Sequence, residues 1–339
     1  MKKTMFFGTL AVLGMTTGLA TAGTLDDVKA RGKLICGVNI GLVGFAAPDA
    51  SGEWDGFDVG YCRALAASIF GDPKAVEFIP TTSQTRFTAL ASGEVDILAR
   101  NSTWTYSRDT DLKLNWVGVN YYDGQGFMVK KDLGVASAKE LDGATVCIQS
   151  GTTTELNLAD FFKENGMTYE PVPIETDDQA IQQFLAGACD AYTTDASGLA
   201  AARATFEDAA AYVVLPEIIS KEPLGPLVRH GDDQWEDIAS WVLYALIIAE
   251  EKGITSANLD EMAKGVTDQE INRLLGVGED DLGAMMGMPK NWGYSAIKAG
   301  GNYGELFERY LGEKTALGLA RGLNALWTQG GLQYAPPVR

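Results

Sequence analysis

The stretch ARNSTWTYSRD (99–109) sets an amide, a run of hydroxyls, a Tyr, a Trp and two arginines directly behind a short apolar strand. Arg108 offers a planar fork of donors that matches a carboxylate, although a surface arginine paired with Asp109 or Asp111 would read the same way. A second stretch, QSGTTTE (149–155), repeats the arrangement of a strand ending in small hydroxyl residues at a helix start. There Gly151 permits a tight backbone, and Thr152 or Thr153 begins a helix whose free N–H groups attract an anion. Glu155 or the helix dipole alone would equally serve ordinary capping. Asp195 is the counterpart. It follows a strand in CDAYTTDASGL (189–199), where it either caps the next helix or accepts hydrogen bonds from an ammonium group. An anion socket and a cation socket on facing surfaces together describe a zwitterion.

The residue inventory argues against most catalysis and against a resident metal or cofactor. His230 is the single histidine and reads as a solvated loop residue, so nothing supplies a Ser-His-Asp set and a cluster of His ligands is excluded. No GxSxG elbow, Walker lysine or CxxC pair is present. An acid or base drawn from Asp or Glu is the remaining route to an enzyme.

Elements that would position these residues are legible from periodicity. LICGV (34–38), AVEFI (75–79) and VDILA (95–99) read as strands, separated by the helices FDVGYCRALAASIF (57–70) and RFTALAS (86–92). This alternation implies an α/β fold with a mainly parallel sheet flanked by helices. NYYDGQGFMV (120–129) breaks the rhythm, and a second series follows through TVCIQ (145–149), a helix from Thr153, the helix AIQQFLAG (180–187) and the strand DAYTT (190–194). The run VVLPEIISKEPLGPLVR (213–229), with three prolines, breaks it again. The chain is therefore expected to leave one lobe, build a second and return: residues 23–121 with 222–339 form the first, and 122–221 the second. Ligands in such sheets bind beyond the carboxyl ends of the strands, here between the lobes. From Asp233 onward the sequence reads as helices, beginning with a long one and continuing near Asn258, Asp268, Trp292, Tyr303 and Leu317.

The first 22 residues, with Lys2, Lys3, an apolar stretch and a close at Ala20-Thr21-Ala22, read as a secretory signal cleaved after Ala22. Loss of the two lysines takes the formal charge from −18 to −20, which disfavours nucleic acid and anionic membrane surfaces. Cys36, Cys62, Cys147 and Cys189 are an even count in an exported chain, so disulfides are expected. The strand and helix positions favour Cys36–Cys62 and Cys147–Cys189 among the three pairings, with four buried thiols as the alternative.

Taken together, LICGVNIGLVGFAAPDASGEWDGFDVGYCRALAASIFGD, ARNSTWTYSRD, NYYDGQGF, CIQSGTTTELNLADFF, CDAYTTDASGL and LPEIISKEPLGPLVRHGDDQW resemble the extracellular solute-binding proteins of family 3. These are the amino-acid-binding proteins of ABC importers, with a two-lobed type II periplasmic binding fold. GNYGELFERYLG and RGLNALWTQGGLQYAPPVR look like the general L-amino-acid-binding branch. The resemblance implies a periplasmic monomer that takes free L-amino acids, including polar ones such as Glu, Gln and Asp. It would pass them to the membrane permease subunits of an importer by cleft closure, without a cofactor. It also implies roles. Arg108 would grip the α-carboxylate with Thr103 and Thr153 beside it. Asp195 would hold the α-ammonium, helped by Asn101 through its backbone carbonyl and by Ser83. Arg86 would lie near the pocket, and Phe45, with Trp104, would stack on the ligand side chain. Residues 255–297 and the tail after Gly312 exceed the small binders of this fold and are expected on the first lobe. Two other readings stay open: an enzyme on the same fold, resembling cyclohexadienyl or arogenate dehydratases, and a ligand sensor reporting to a receptor.

Overall fold

The computed structural model describes residues 23–339; the expected signal and its cleavage site at Ala22 lie outside the described residues. Two five-stranded sheets form, each built to one plan. In the first, Leu34–Asn39 pairs in parallel with Val76–Thr81 and Ile97–Leu98, and Leu227–Arg229 lies antiparallel between Ile97–Leu98 and Leu114–Trp116. In the second, Ala144–Gln149 pairs in parallel with Tyr169–Ile174 and Ala191–Asp195, and Gln125–Lys130 lies antiparallel between Ala191–Asp195 and Tyr212–Val214. Four strands of each sheet thus run one way and one runs against them. The reversed strand is in each case the first to arrive from the other sheet. A strand arriving that way has no crossover helix to turn it parallel to its neighbours. Tyr121–Asp123 and Glu222–Leu224, which precede the two arrivals, pair antiparallel and form a two-stranded ribbon between the sheets.

The helix Phe57–Phe70 is buried along nearly its whole length, including the carboxylate of Asp58. The reason is a second layer. The helices Asp233–Glu251, Gln269–Leu275, Trp292–Gly300 and Tyr303–Tyr310 join it in one apolar cluster on the first sheet. Residues 255–297 thus add their apolar side chains, Leu259, Leu274 and Trp292 among them, to the core of that sheet. Close approach depends on glycine: a Cβ on Gly60 would stand 2.8 Å from Leu306, and one on Gly293 would stand 2.2 Å from the Leu274 carbonyl. No helix of the described residues is long and apolar enough to cross a membrane.

The tail departs from expectation at Leu317, where no helix forms. Gly318 and Gly322 take φ of 63° and 49°, so the chain turns instead of coiling. It then runs beside the ribbon. The Asn324 side chain accepts from the Tyr122 N–H at 2.6 Å and donates to the Tyr122 carbonyl at 3.1 Å, in the manner of a strand neighbour. Arg321 holds this turn with a two-pronged ion pair to Glu250, at 3.0 and 3.1 Å. Cys36 is joined to Cys62 and Cys147 to Cys189, one bridge in each sheet-and-helix layer, as the sequence favoured.

Candidate ligand-binding site

A cavity of about 270 Å³ lies between the two sheets, at the carboxyl ends of their parallel strands. Of the residues singled out in the sequence, Ser83, Arg86, Asn101, Thr103, Thr153 and Asp195 line it. The lobes meet across it: Thr103 and Thr153 hydroxyls lie 3.4 Å apart, and the Asn39 amide reaches Asp177 at 3.4 Å.

Three placements differ from the sequence reading. Phe45 is 1 % exposed and is absent from the cavity wall; its ring meets Phe57 and Tyr121 edge-on in the core. The cause is the turn before it, in which Gly44 takes φ 83° and the Phe45 and Ala46 N–H groups both bond the Leu42 carbonyl. That turn drives Phe45 inward and leaves Gly41, Leu42 and Val43 facing the cavity. Trp104 is also absent from the wall. It stacks on Trp116 and donates from its ring to Asp109 at 2.8 Å. Arg108 stands behind the wall, buried over the Phe87 ring, with its guanidinium donating to the Thr103 carbonyl at 3.0 Å. Burial draws its pKa down to about 10 against the opposing pull of Glu222 and Asp195. A surface pairing with Asp109 is not what the geometry provides, since Asp109 takes Trp104 and lies 3.8 Å from His230.

Neither of the two helix starts is capped by its own N-cap side chain. The helix Thr153–Glu164 begins with no side-chain cap from Thr152, whose hydroxyl instead donates to the Gln149 carbonyl at 2.6 Å. Asp195 likewise makes no capping bond to the helix Ala196–Arg203. Asp195 is nonetheless buried, and burial together with Asp123 and Glu222 holds its carboxyl well above the usual range, while Arg86 and Arg108 pull it back down. A desolvated carboxylate beside two others is costly unless a cation is supplied. Asn101 sits at φ 23°, a conformation rare outside glycine, fixed by its N–H on Asp58 at 3.3 Å and by Asn39 donating to its side chain at 3.2 Å. Such a backbone persists only where its surroundings over-determine it, as sites that aim a backbone group require. Arg86 is 3 % exposed, stacks on Phe87, and keeps a buried Nε without a partner.

Four further groups were not singled out in the sequence. Arg100, 2 % exposed, lines the cavity and donates to the Thr81 carbonyl at 3.0 Å and to Ser83 at 3.3 Å. Asp177 lines the opposite wall. Asp123, pushed up to about 6 by burial, accepts from the N–H and hydroxyl of Ser197 and from Gly124. Glu222, on the returning ribbon strand, is 1 % exposed and gathers donors from both lobes: Thr103 at 2.5 Å, Thr153 at 2.9 Å, Asn157 at 2.7 Å and Ser220 at 2.7 Å. The sequence offered no distinct signal for Glu222, which shares its crossing segment with Glu217 and Lys221. Because both threonine hydroxyls donate to Glu222, what they offer the cavity is a lone pair, which suits an ammonium. The N–H groups at the start of the helix Thr153–Glu164 remain the donors suited to a carboxylate. Glu222→Gln keeps the shape and removes the charge. It is expected to weaken ligand binding about fivefold in calorimetry, the difference of roughly 1 kcal/mol between a charge-assisted and a neutral hydrogen bond. Unchanged affinity would mean that the threonines are oriented without it.

Comparison with known proteins decides the family. The family model described as bacterial extracellular solute-binding proteins, family 3, matches residues 34–313. The chain belongs to that family. It is similar, at 64 % identity over the whole of both chains, to the glutamate/glutamine/aspartate/asparagine-binding protein BztA of Rhodobacter capsulatus. It is 58 % identical to the general L-amino acid-binding periplasmic protein AapJ of Rhizobium johnstonii, over 97 % of this chain and 96 % of that one. Among solved structures, an ABC transporter periplasmic binding protein from Brucella ovis with glutathione bound is 54 % identical. It superposes with a TM-score of 0.92 over 94 % of this chain and all of that one. The family is one of solute-binding proteins of the extracellular or periplasmic space, so the enzyme reading is not favoured.

Proposed function

We propose that this chain captures free L-amino acids, a broad set that includes Glu, Gln and Asp, in the periplasm after removal of its signal through Ala22. As a monomer it delivers them to the membrane permease subunits of an ABC importer. The observation that carries this reading is a buried carboxylate without a partnered cation, Asp195, on the wall of a cavity between two sheets that Arg86 also lines, with Arg108 buried just behind that wall. An α-amino acid supplies both missing charges at once. In this reading Asp195 and the Asn101 carbonyl hold the ammonium, with the Ser83, Thr103 and Thr153 oxygens beside them. Arg108 and the helix start at Thr153 hold the carboxylate, and Arg86 lies between the poles. The amino acids for which the BztA and AapJ relatives are named support this ligand class. Residues 23–121 with 222–339 and residues 122–221 act as the two lobes, hinged at the ribbon of Tyr121–Asp123 and Glu222–Leu224. Each lobe contributes part of the site, so the ligand bridges them only when they are together and shifts the equilibrium toward closure.

The test is a titration of the mature protein with glutamate, glutamine, aspartate and asparagine, read by calorimetry and by small-angle scattering. Glutathione belongs in the same series, because its γ-glutamyl end presents the same α-ammonium and α-carboxylate as glutamate. Binding with a smaller radius of gyration is expected, and mass spectrometry should recover the ligand unaltered. Saturation without any heat, or a ligand converted to another mass, would reject the reading.

A further inference from the structure

We propose that Arg100 and Asp177, which line the cavity from the two lobes, with Asp177 held by Asn39 of the facing lobe, form the end of the cavity that reads the ligand side chain. Their mixed charge is what allows one pocket to take carboxamide and carboxylate side chains alike. This inference rests on the amino-acid reading above.

Two groups of charged residues border the cavity, and they share Arg86 and the Ser83 that Arg100 bonds. At one, Glu222 collects the Thr103 and Thr153 hydroxyls, and Asp195 lies in the field of Asp123, Glu222, Arg86 and Arg108. At the other, the Asn39 amide donates to Asn101 at 3.2 Å and to Asp177 at 3.4 Å, and Arg100 is the cation with the largest pull on the Asp177 carboxyl. Arg86 is felt at both. If the first group takes the α-ammonium and α-carboxylate, the side chain is directed to the second.

Asp177 has no structural task that explains its position. It opens the helix Asp177–Leu185, but the cap is Thr176, whose hydroxyl accepts from the Gln179 N–H at 3.3 Å, and Asp178 already supplies an acidic group to the first turn. Its carboxylate turns instead to Asn39 of the facing lobe. Arg100 uses Nε on Thr81 and one Nη on Ser83, so the guanidinium retains donors on a residue that lines the cavity.

A carboxamide carries an acceptor and a donor, and an Arg opposite an Asp satisfies both. A carboxylate only accepts; it gains from Arg100 and Arg86 and is opposed by Asp177. Asp177 therefore favours glutamine and asparagine, and holds back a preference for glutamate and aspartate that two buried arginines would otherwise impose.

The experiment compares glutamate and glutamine by calorimetry on wild-type protein, Asp177→Asn and Asp195→Asn. Asp177→Asn is nearly isosteric at a partly accessible helix start, and a matching circular dichroism melt verifies its fold. It is expected to lower glutamine affinity about fivefold while leaving glutamate affinity equal or higher, the difference between a charge-assisted and a neutral hydrogen bond. Asp195→Asn should weaken both ligands by a like factor. If Asp177→Asn changes both ligands equally, or neither, while Asp195→Asn still weakens both, this inference falls and the amino-acid reading stands. If wild-type protein binds neither ligand, both fall.

Discussion

Replacing Asp195 by Asn is expected to weaken amino-acid binding roughly 30-fold or more and, in the same protein, to raise the melting temperature of the ligand-free form at pH values above the titration of the native carboxyl. Both effects have one origin. Burial and the nearby Asp123 and Glu222 disfavour the charged carboxylate, so its folded pKa lies above that of the unfolded chain. Such a group stabilises the fold below its unfolded pKa and loses that contribution as pH rises through the folded value. Above that window the ligand-free protein carries an uncompensated buried charge, and the ligand ammonium removes the penalty. Asn removes the penalty too, but gives the ammonium nothing to pair with. Truncating one member of a desolvated charge pair costs ~2–5 kcal/mol, hence the size of the loss in affinity. Calorimetry with glutamate and thermal melts at two pH values, one below and one above the window, test it. Affinity within threefold of wild type would remove Asp195 from the cation socket, and a melting temperature lowered at both pH values would assign it a structural task instead.

Arg108→Ala is expected to weaken binding by about 30-fold or more, in the range of ~2 kcal/mol for removing a charge-assisted hydrogen bond from a buried site. Two other buried arginines, Arg86 and Arg100, flank the cavity, so the test must separate them from Arg108. Both Arg108 and Arg86 lie in the field of Asp195; Arg108 donates to the Thr103 carbonyl behind the cavity wall, and Arg86 lines the cavity with an unpartnered Nε. If Arg108 grips the α-carboxylate, the loss should be shared by every amino-acid ligand whatever its side chain. If Arg108→Ala binds within threefold of wild type and Arg86→Gln does not, the carboxylate socket belongs to Arg86.

Much of the molecule was legible without coordinates because the signals were local. Alternating strands and helices named the α/β class and the two breaks where the chain changes sheets, since a crossing strand needs extended residues and prolines and turn glycines on either side. Hydroxyls and a glycine at strand ends marked the helix starts that line the cavity. Phe45 and Trp104 went astray for a reason equally physical. An aromatic residue in a loop reads as a ligand platform, but a glycine turn at Gly44 rotates Phe45 into the core and Trp116 offers Trp104 a stacking partner distant in sequence. Leu317 failed as a helix because two glycines after it turn the chain toward the ribbon.

Sequence by itself determined the class of fold, the two cysteine pairs favoured on their positions, the family resemblance, and several of the polar residues around the cavity, each written within a dozen residues of a recognisable element. Only the tertiary structure decided which of those residues share a wall, that Arg100 and Asp177 join them, and that Glu222 and Asp123 stand close behind. Their importance comes from charge buried near other charge, with Glu222 reaching Thr103 across 119 residues and Asp177 reaching Asn39 across 138. Desolvation and Coulomb interaction depend on distance in space, and a linear order of residues does not record it.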